Sequence, residues 1–207
     1  MRKKVVQGVS LASRKPSRAP KGPGLVRISG GMYKRTPVPV PDAEGLRPTP
    51  ERARQTVFNW LGFALGDFAS KRFLDMFAGS GVMGLEAASR GAAFVLSCEV
   101  RPKAADGIRA LAQRLGAPLE VHCGDAFARL AREESRFDVI FLDPPFASGL
   151  HLKALKAADG ALAEGGMIYL ETPRGLELDF QALGYRAFRS SRAGAAVFML
   201  LKRIGDE

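Results

Sequence analysis

Short apolar runs that alternate with helical stretches are the feature that most constrains the fold of this chain. The predicted strands cover residues 73–77, 93–98, 119–122, 139–142, 167–170 and 195–201. The helical patterns between them include residues 83–89, 103–115 and 152–162. Strands that are apolar throughout and separated by helices indicate an α/β fold, a mostly parallel twisted sheet with helices on both faces. No apolar run approaches the roughly 20 residues that span a membrane.

Two hairpins are predicted outside this alternation. At the C-terminal end, residues 185–189 and 195–201 form an antiparallel hairpin across residues 190–194. Near the N-terminus, alternating apolar residues around Gly30 and Gly31 predict a small β-hairpin that exposes Lys34 and Arg35. A helix then follows, with Thr49 as its N-cap and Pro50 at its first position.

Positive charge is concentrated in the first 47 residues. They hold 11 Lys and Arg against two acids, whereas the remaining residues hold 20 against 19, so +9 of the net charge of +10 lies there. We therefore divide the chain into a basic flexible tail (1–24), a β-hairpin extension that we expect to contact a nucleic acid (25–48) and an α/β domain (49–207). A basic arm on a nearly neutral body is typical of a protein that binds a polyanion. A targeting peptide would give the tail a similar composition.

The cysteines and histidines predict neither a metal site nor covalent catalysis. Cys98 and Cys123 have no metal-ligand spacing and are expected to be buried free thiols in a reducing cytoplasm. His122 is expected to be structural, and His151 is a weaker candidate for the substrate entrance. We expect a cytoplasmic monomer without metal.

A glycine-rich loop follows the first strand of the alternating region. Residues 75–84 read DMFAGSGVMG, and Gly79 and Gly81 allow the backbone to pass close to a ligand. Glu99 comes 20 residues after Gly79, where an acid can bind a ribose diol. These features fit a dinucleotide or S-adenosylmethionine. Asp75, two residues before Phe77, favours S-adenosylmethionine. A carboxylate attracts the ammonium group of that cofactor, whereas it would repel the diphosphate of a dinucleotide.

Two acids follow later strands. In GDAF, Asp125 with its neighbour Ala126 is placed to contact an adenine, although Asp125 can equally be a helix N-cap. In FLDPPF, Asp143 follows an apolar run, and two prolines precede Phe146. Asp143 and the carbonyl of Pro144 can accept two hydrogen bonds from an exocyclic amine, while Phe146 stacks on an extruded base.

Together, DMFAGSGVMGLEAASRGA, Glu99, GDAF and DPPF resemble the motifs of S-adenosylmethionine-dependent amino-methyltransferases. The segment RISGGMYKRTPVPVPDAEGLRPTPERARQTVFNWL resembles the RsmD-type family, which methylates the 2-amino group of a guanine in small-subunit ribosomal RNA. The resemblance spans about residues 25–203. It implies a Rossmann-like class I methyltransferase fold whose RNA substrate is naked or held in a partly assembled subunit with ribosomal proteins.

The resemblance also implies roles for individual residues. Asp75, Phe77, Gly79 and Gly81 would form the cofactor loop, with Arg47 and Thr49 over the methionine carboxylate. The catalytic residues would be Asp143, Pro144 and Phe146. Two alternatives stay open. The acceptor can be another amine, such as adenine or a protein glutamine, or the chain can be a catalytically silent RNA-binding assembly factor.

Overall fold

A seven-stranded sheet forms the centre of the fold in the computed structural model, which describes residues 24–41 and 50–206. The strands are β1 (Leu25–Arg27), β2 (Pro37–Pro39), β3 (Arg72–Asp75), β4 (Phe94–Glu99), β5 (Leu119–Cys123), β6 (Phe137–Leu142), β7 (Leu162–Pro173), β8 (Tyr185–Ala193) and β9 (Ala196–Arg203). The helices are α1 (Glu51–Leu65), α2 (Val82–Ser89), α3 (Pro102–Leu115), α4 (Ala126–Leu130) and α5 (His151–Ala161).

The order of the strands places two strand ends side by side at the centre of the sheet. The order is β5-β4-β3-β6-β7-β9-β8, with five parallel strands followed by the antiparallel pair β9 and β8. The predicted mostly parallel sheet with a C-terminal antiparallel hairpin is confirmed. β3 lies between β4 and β6, so strand order reverses there, and ligands bind at such a position beyond the carboxyl ends of the strands.

Helices cover both faces of the sheet. Helices α1 and α2 contribute to one buried apolar cluster, which includes Phe73 of β3 and Phe141 of β6. Helices α4 and α5 contribute to the cluster on the other side, which includes Leu74 and Ile140 from the same two strands. Successive residues of a strand point to opposite faces, so strands that are apolar at every position require cover on both.

The predicted N-terminal hairpin is present and packs against α2. β1 and β2 pair antiparallel, and Lys34 and Arg35 are exposed as expected. Ile28 and Val38 are buried beside Leu85 of α2. The hairpin therefore shares apolar packing with the helix that follows the glycine-rich loop.

A buried carboxylate attaches the hairpin to α2. Glu86, fully buried, accepts hydrogen bonds from the backbone N–H of Ser29 (2.8 Å) and from its hydroxyl (2.5 Å). Arg90 completes the cluster with an ion pair to Glu86 at 3.0 Å. A buried carboxylate needs such partners, because desolvation of an unpaired charge is costly.

Three local expectations were wrong. Cys123 is exposed, because β5 is an edge strand of the sheet and has fewer neighbours to cover it. Residues 190–193 belong to β8, and only Gly194 and Ala195 form the turn to β9. Pro50 precedes the first turn of α1 instead of occupying it, with an extended ψ of 143°.

Candidate active site

Two acids lie at the carboxyl ends of the adjacent strands β3 and β6. Asp75 ends β3 and pairs with Phe141 of β6, and Asp143 follows two residues later. Asp75 and Asp143 line the same pocket together with the glycine-rich loop. The carboxyl ends of parallel strands meet at one edge of a sheet, so this pairing follows directly from the strand order. The pocket therefore lies between the glycine-rich loop on one side and the DPPF segment on the other.

Glycine is required in the loop for two different reasons. Gly79 (φ 58°) and Gly81 (φ 77°) adopt left-handed backbone conformations that other residues rarely adopt. Gly84 lies in α2 where the helix crosses the sheet, and a Cβ there would meet the Ser97 hydroxyl at 2.6 Å. The first two glycines shape the loop, and the third allows close helix–strand packing.

Asp75 is a buried carboxylate with an unused acceptor. It is 3% exposed, and its Oδ2 has no hydrogen-bond partner among the residues that the structure describes. Burial raises the pKa of the Asp75 carboxyl to about 7, and the nearby Glu99 adds to the rise, while the backbone N–H groups of Phe77 and Gly84 act in the opposite direction. An unpartnered buried carboxylate beside a pocket fits a cationic ligand group that would neutralise it.

Glu99 is also almost buried, but its oxygens are engaged. Oε2 accepts the backbone N–H of Gly79 at 2.8 Å, which ties the loop to the end of β4. Arg101 forms an ion pair with Oε1 at 2.7 Å and donates its backbone N–H to the same oxygen at 2.9 Å. The sequence predicted the acid at this position but not the arginine that covers it.

Asp125 caps a short helix at the end of β5. Its Oδ1 accepts the backbone N–H of Phe127 at 2.8 Å, so the N-cap role is confirmed. Ala126 is buried, and the rings of Phe77 and Phe127 meet edge to face with centroids 6.2 Å apart. Phe77 of the loop and Phe127 of α4 are therefore neighbours, as a site between the ends of β3, β4 and β5 requires.

The DPPF segment presents one aromatic ring to solvent. Pro144 is buried, whereas Phe146 is 39% exposed at the start of a 3₁₀ turn over Phe146–Ser148. The Ser148 hydroxyl donates to the Pro145 carbonyl at 2.6 Å and closes this turn. A rigid segment with an outward ring is suited to stacking on a flat ligand.

His151 lies behind that ring and not at the surface. It is 2% exposed, and its ring centroid lies 6.3 Å from that of Phe146. Its Nε2 has no hydrogen-bond partner in the described part of the chain, and burial lowers the pKa of the imidazole. His151 therefore supports Phe146 from inside and does not line an open entrance.

Two pocket residues were missed from the sequence. Val40, just after β2, brings the end of the N-terminal hairpin to the pocket, and Tyr169 reaches it from β7. The Tyr169 hydroxyl donates to Glu171 at 2.7 Å. The sequence predicted a strand over residues 167–170 but not its place beside β6, which brings Tyr169 to the pocket. Arg47 and Thr49, predicted to bind the cofactor, lie outside the described residues.

Residues 24–41 and 50–206 contain neither a metal-binding cluster nor a membrane-spanning helix. Within these ranges, no three His, Cys, Asp or Glu side chains are grouped closely enough to hold a metal ion. The helices of the same ranges include none that is long and apolar enough to cross a membrane.

Comparison with known proteins identifies the family. Residues 26–202 match the family described as Conserved hypothetical protein 95. Ribosomal RNA small subunit methyltransferase D of Escherichia coli is 35% identical over 193 residues, which cover 92% of this chain and 95% of that protein. The chain belongs to the RsmD-type family of ribosomal RNA methyltransferases. The resemblance seen in the sequence motifs is thus confirmed.

Solved structures agree with this membership. A putative methyltransferase from Escherichia coli superposes with a TM-score of 0.76 at 31% identity and covers 87% of this RsmD-type chain and 98% of its own. A more distant putative methyltransferase, solved as a complex with S-adenosylhomocysteine, has a TM-score of 0.60 at 15% identity, covering 76% of this chain and 50% of its own. At that identity the second likeness concerns the fold alone, which is the class I methyltransferase fold.

Proposed function

We propose that the chain transfers a methyl group from S-adenosylmethionine to the exocyclic 2-amino group of a guanine in small-subunit ribosomal RNA. Membership of a ribosomal RNA methyltransferase family supports the reaction class. The name of the Escherichia coli relative supports the substrate, and the distant relative bound to S-adenosylhomocysteine supports the cofactor. The position of Asp143 beside the loop of Asp75, in one pocket, is the observation that carries the proposal.

The residues around the pocket fit this cofactor. Asp75 has a buried oxygen, without a partner in residues 24–41 and 50–206, that would accept the ammonium of the methionine part. Gly79 and Gly81 let the loop approach it closely. Glu99 would accept the ribose hydroxyls, as in other sites with this strand–loop–helix arrangement.

The adenine would lie at the end of β5. Asp125 and Ala126 start the short helix there, and the rings of Phe77 and Phe127 border the same region. The Asp125 Oδ2 makes no hydrogen bond within residues 24–41 and 50–206, so the cap leaves one carboxylate oxygen for a base amine. When bound, the cofactor supplies an electrophilic methyl group on a sulfonium.

Asp143 and Pro144 would orient the acceptor amine. The lone pair of an aromatic amine is delocalised into the ring, which makes the nitrogen a weak nucleophile. Hydrogen bonds from its two N–H groups to the Asp143 carboxylate and the Pro144 carbonyl would favour a pyramidal nitrogen whose lone pair points at the methyl. The N–C bond forms as the S–C bond breaks, and the nitrogen then releases one proton.

Phe146 would hold the extruded base. Its ring is 39% exposed and is fixed by the prolines before it and by His151 behind it. Stacking of a base on an aromatic side chain contributes about 1–3 kcal/mol. Most of the rate acceleration would come from alignment of amine and methyl, since no strong base lies in the segment.

Transfer of labelled methyl from S-adenosylmethionine tests the proposal. The substrate is unmethylated small-subunit RNA made by transcription, both alone and assembled with small-subunit proteins. Asp143→Ala should lower turnover by at least a hundredfold while S-adenosylhomocysteine binds with nearly unchanged affinity. Asp106→Ala, an exposed change on α3, serves as the matched control.

The outcomes separate the alternatives. Label in RNA that disappears with Asp143→Ala supports the proposed mechanism. Equal turnover of Asp143→Ala and the unmodified protein would contradict the mechanism. Label only in DNA or protein would change the acceptor, and cofactor binding without transfer to any acceptor would favour a silent RNA-binding factor.

A further inference from the structure

A basic and aromatic surface lies on the α1 side of the outer strands, away from the pocket. We call it the β8 patch, and its members are Phe63, Arg186, Phe188, Arg189 and Lys202. Phe63, near the end of α1, is 77% exposed. A large aromatic ring that is left in solvent is available to stack on a partner, and its position within a larger patch makes it informative.

Cationic side chains surround the two rings of the β8 patch. The Arg189 guanidinium lies 5.8 Å from the centroid of Phe63 and 4.8 Å from that of Phe188. The Lys202 ammonium lies 5.3 Å from the centroid of Phe188. The rings and the charges thus form one continuous surface, in which cation–π contacts hold the long side chains in place.

The strand register decides which arginines belong to the patch. Arg189 pairs with Leu200, which is part of the apolar cluster under α1. Arg192 pairs with Val197, which packs against the cluster on the opposite side of the sheet. Arg192 therefore lies on the same strand but on the other face.

The β8 patch is rich in positive charge. β8 contains three arginines and no acid. Among the residues that the structure describes, no carboxylate forms a salt bridge with Arg186 or Arg189. Arg186 donates a hydrogen bond to the backbone carbonyl of Asp206 at 3.0 Å and lies opposite Lys202 across the strands. An anionic partner would therefore meet adjacent cationic side chains on this strand pair.

We propose that the β8 patch binds a single-stranded segment of the RNA whose guanine enters the pocket, a proposal that rests on the function proposed above. Arg186 and Arg189 would contact phosphates, and Phe63 would stack on a base. Charge with an exposed ring is the combination that binds single-stranded nucleic acid. Proteins recognise duplex RNA mainly by its shape and by contacts along its grooves, and an exposed aromatic ring contributes little to such contacts.

The direction of β8 connects the patch with the pocket. β8 ends at Ala193, opposite Ala196 of β9, which in turn pairs with Pro173 at the carboxyl end of β7. That end of β7 lies beside the end of β6 and the DPPF segment. At about 3.3 Å per residue, Arg189 lies roughly 13 Å from the end of its strand. The path to β6 also crosses three strand spacings of about 4.8 Å each. Several nucleotides beside the target would span it.

Binding of transcribed small-subunit RNA to the full chain, with methyl transfer measured in parallel, tests the proposal. We expect Phe63→Ala and Arg189→Gln each to weaken RNA binding roughly tenfold. At saturating RNA, kcat should be retained, so the loss appears in kcat/KM. Arg189→Gln should also reduce the salt dependence of log Kd by about 0.7, the value for one phosphate contact on a single strand.

Arg192→Gln is the matched control, because it removes the same charge from the same strand on the other face. It should retain RNA affinity and salt dependence. All three variants should bind S-adenosylhomocysteine and melt like the unmodified protein, since the replaced side chains are exposed.

The results distinguish failure of this inference from failure of the proposed function. If the unmodified protein methylates RNA and Phe63→Ala and Arg189→Gln bind it as tightly, the β8 patch is not an RNA surface. If the loss occurs only with assembled subunits and never with RNA alone, the patch contacts a protein and the inference is wrong. If tight, patch-dependent RNA binding occurs without methyl transfer, the proposed function fails and the RNA surface stands.

Discussion

Arg101 covers the carboxylate of Glu99, which is bonded to the glycine-rich loop. Its Nε lies 2.7 Å from Oε1 and its Nη2 lies 3.2 Å from Oε2. The backbone N–H groups of Gly79 and Arg101 supply two further hydrogen bonds. A carboxylate has about four acceptor positions, so these four donors occupy all of them. Ribose hydroxyls can bind Glu99 only if the guanidinium moves away.

Removal of Arg101 should therefore strengthen cofactor binding. The Arg101 side chain is 37% exposed and can swing into solvent, but this motion gives up a charge-assisted pair. We expect Arg101→Gln to lower the Kd of S-adenosylhomocysteine about tenfold, measured by titration calorimetry, with Arg109→Gln on the same helix as control. Unchanged or weaker binding by Arg101→Gln would show that the arginine does not compete with the ribose.

The Asp75 carboxylate should make cofactor binding dependent on pH. Its pKa of about 7 means that the acid is partly protonated at neutral pH, and only the ionised form can attract an ammonium. The affinity for S-adenosylhomocysteine should therefore rise from pH 5 to about pH 7 and then level off. In Asp75→Asn, binding should be weak at every pH. If Asp75→Asn kept the same pH dependence of binding, another titrating group would be responsible for that dependence.

The same substitution should stabilise the protein without ligand. The folded pKa of Asp75 lies above its usual value of 3.8, so its contribution to stability is present below about pH 4 and is lost as pH rises towards 7. An asparagine side chain does not ionise, so its contribution to stability does not fall as the pH rises. We expect Asp75→Asn to gain roughly 1–4 kcal/mol over the unmodified protein at pH 7 in chemical unfolding, and little at pH 4. An equal difference at both pH values would contradict the assigned pKa.

Packing between α2 and the sheet should not tolerate a methyl group at residue 84. A Cβ at Gly84 would lie 2.6 Å from the Ser97 hydroxyl and 3.2 Å from a methyl of Val95. Gly84→Ala should cost about 1–3 kcal/mol of unfolding free energy. Gly107→Ala, in α3 with open space around its Cβ, should instead gain up to about 1 kcal/mol. Similar effects of both changes would show that α2 can shift from the sheet.

The buried Glu86 should stabilise the attachment of the N-terminal hairpin to α2. Glu86→Gln keeps the shape of the side chain but removes the charge that Ser29 and Arg90 share. We expect a loss of about 1–3 kcal/mol that is largest in the hairpin, so amide exchange of Ile28, whose N–H bonds to Thr36, should accelerate more than that of Leu74. Uniform acceleration throughout the sheet would indicate a global effect instead.

The sequence predicts the order of the main elements, because apolar strands and helices alternate from residue 72 to β7. It also predicts that Asp75 and Asp143 are neighbours, since both follow strands whose carboxyl ends meet. The exposure of Cys123 and the length of β8 depend on which strands lie at the edges, which periodicity alone does not determine. The contact of Arg101 with Glu99 depends on side-chain geometry at a turn. Val40 reaches the pocket only because the hairpin packs on α2.

Identification of the methylated nucleoside tests the central claim most directly. Unmethylated small-subunit RNA, alone and in assembled subunits, is incubated with the chain and labelled S-adenosylmethionine, then digested to nucleosides. We predict label in 2-methylguanosine and its absence with Asp143→Ala. Label in any other nucleoside, or equal labelling by Asp143→Ala, would contradict the account.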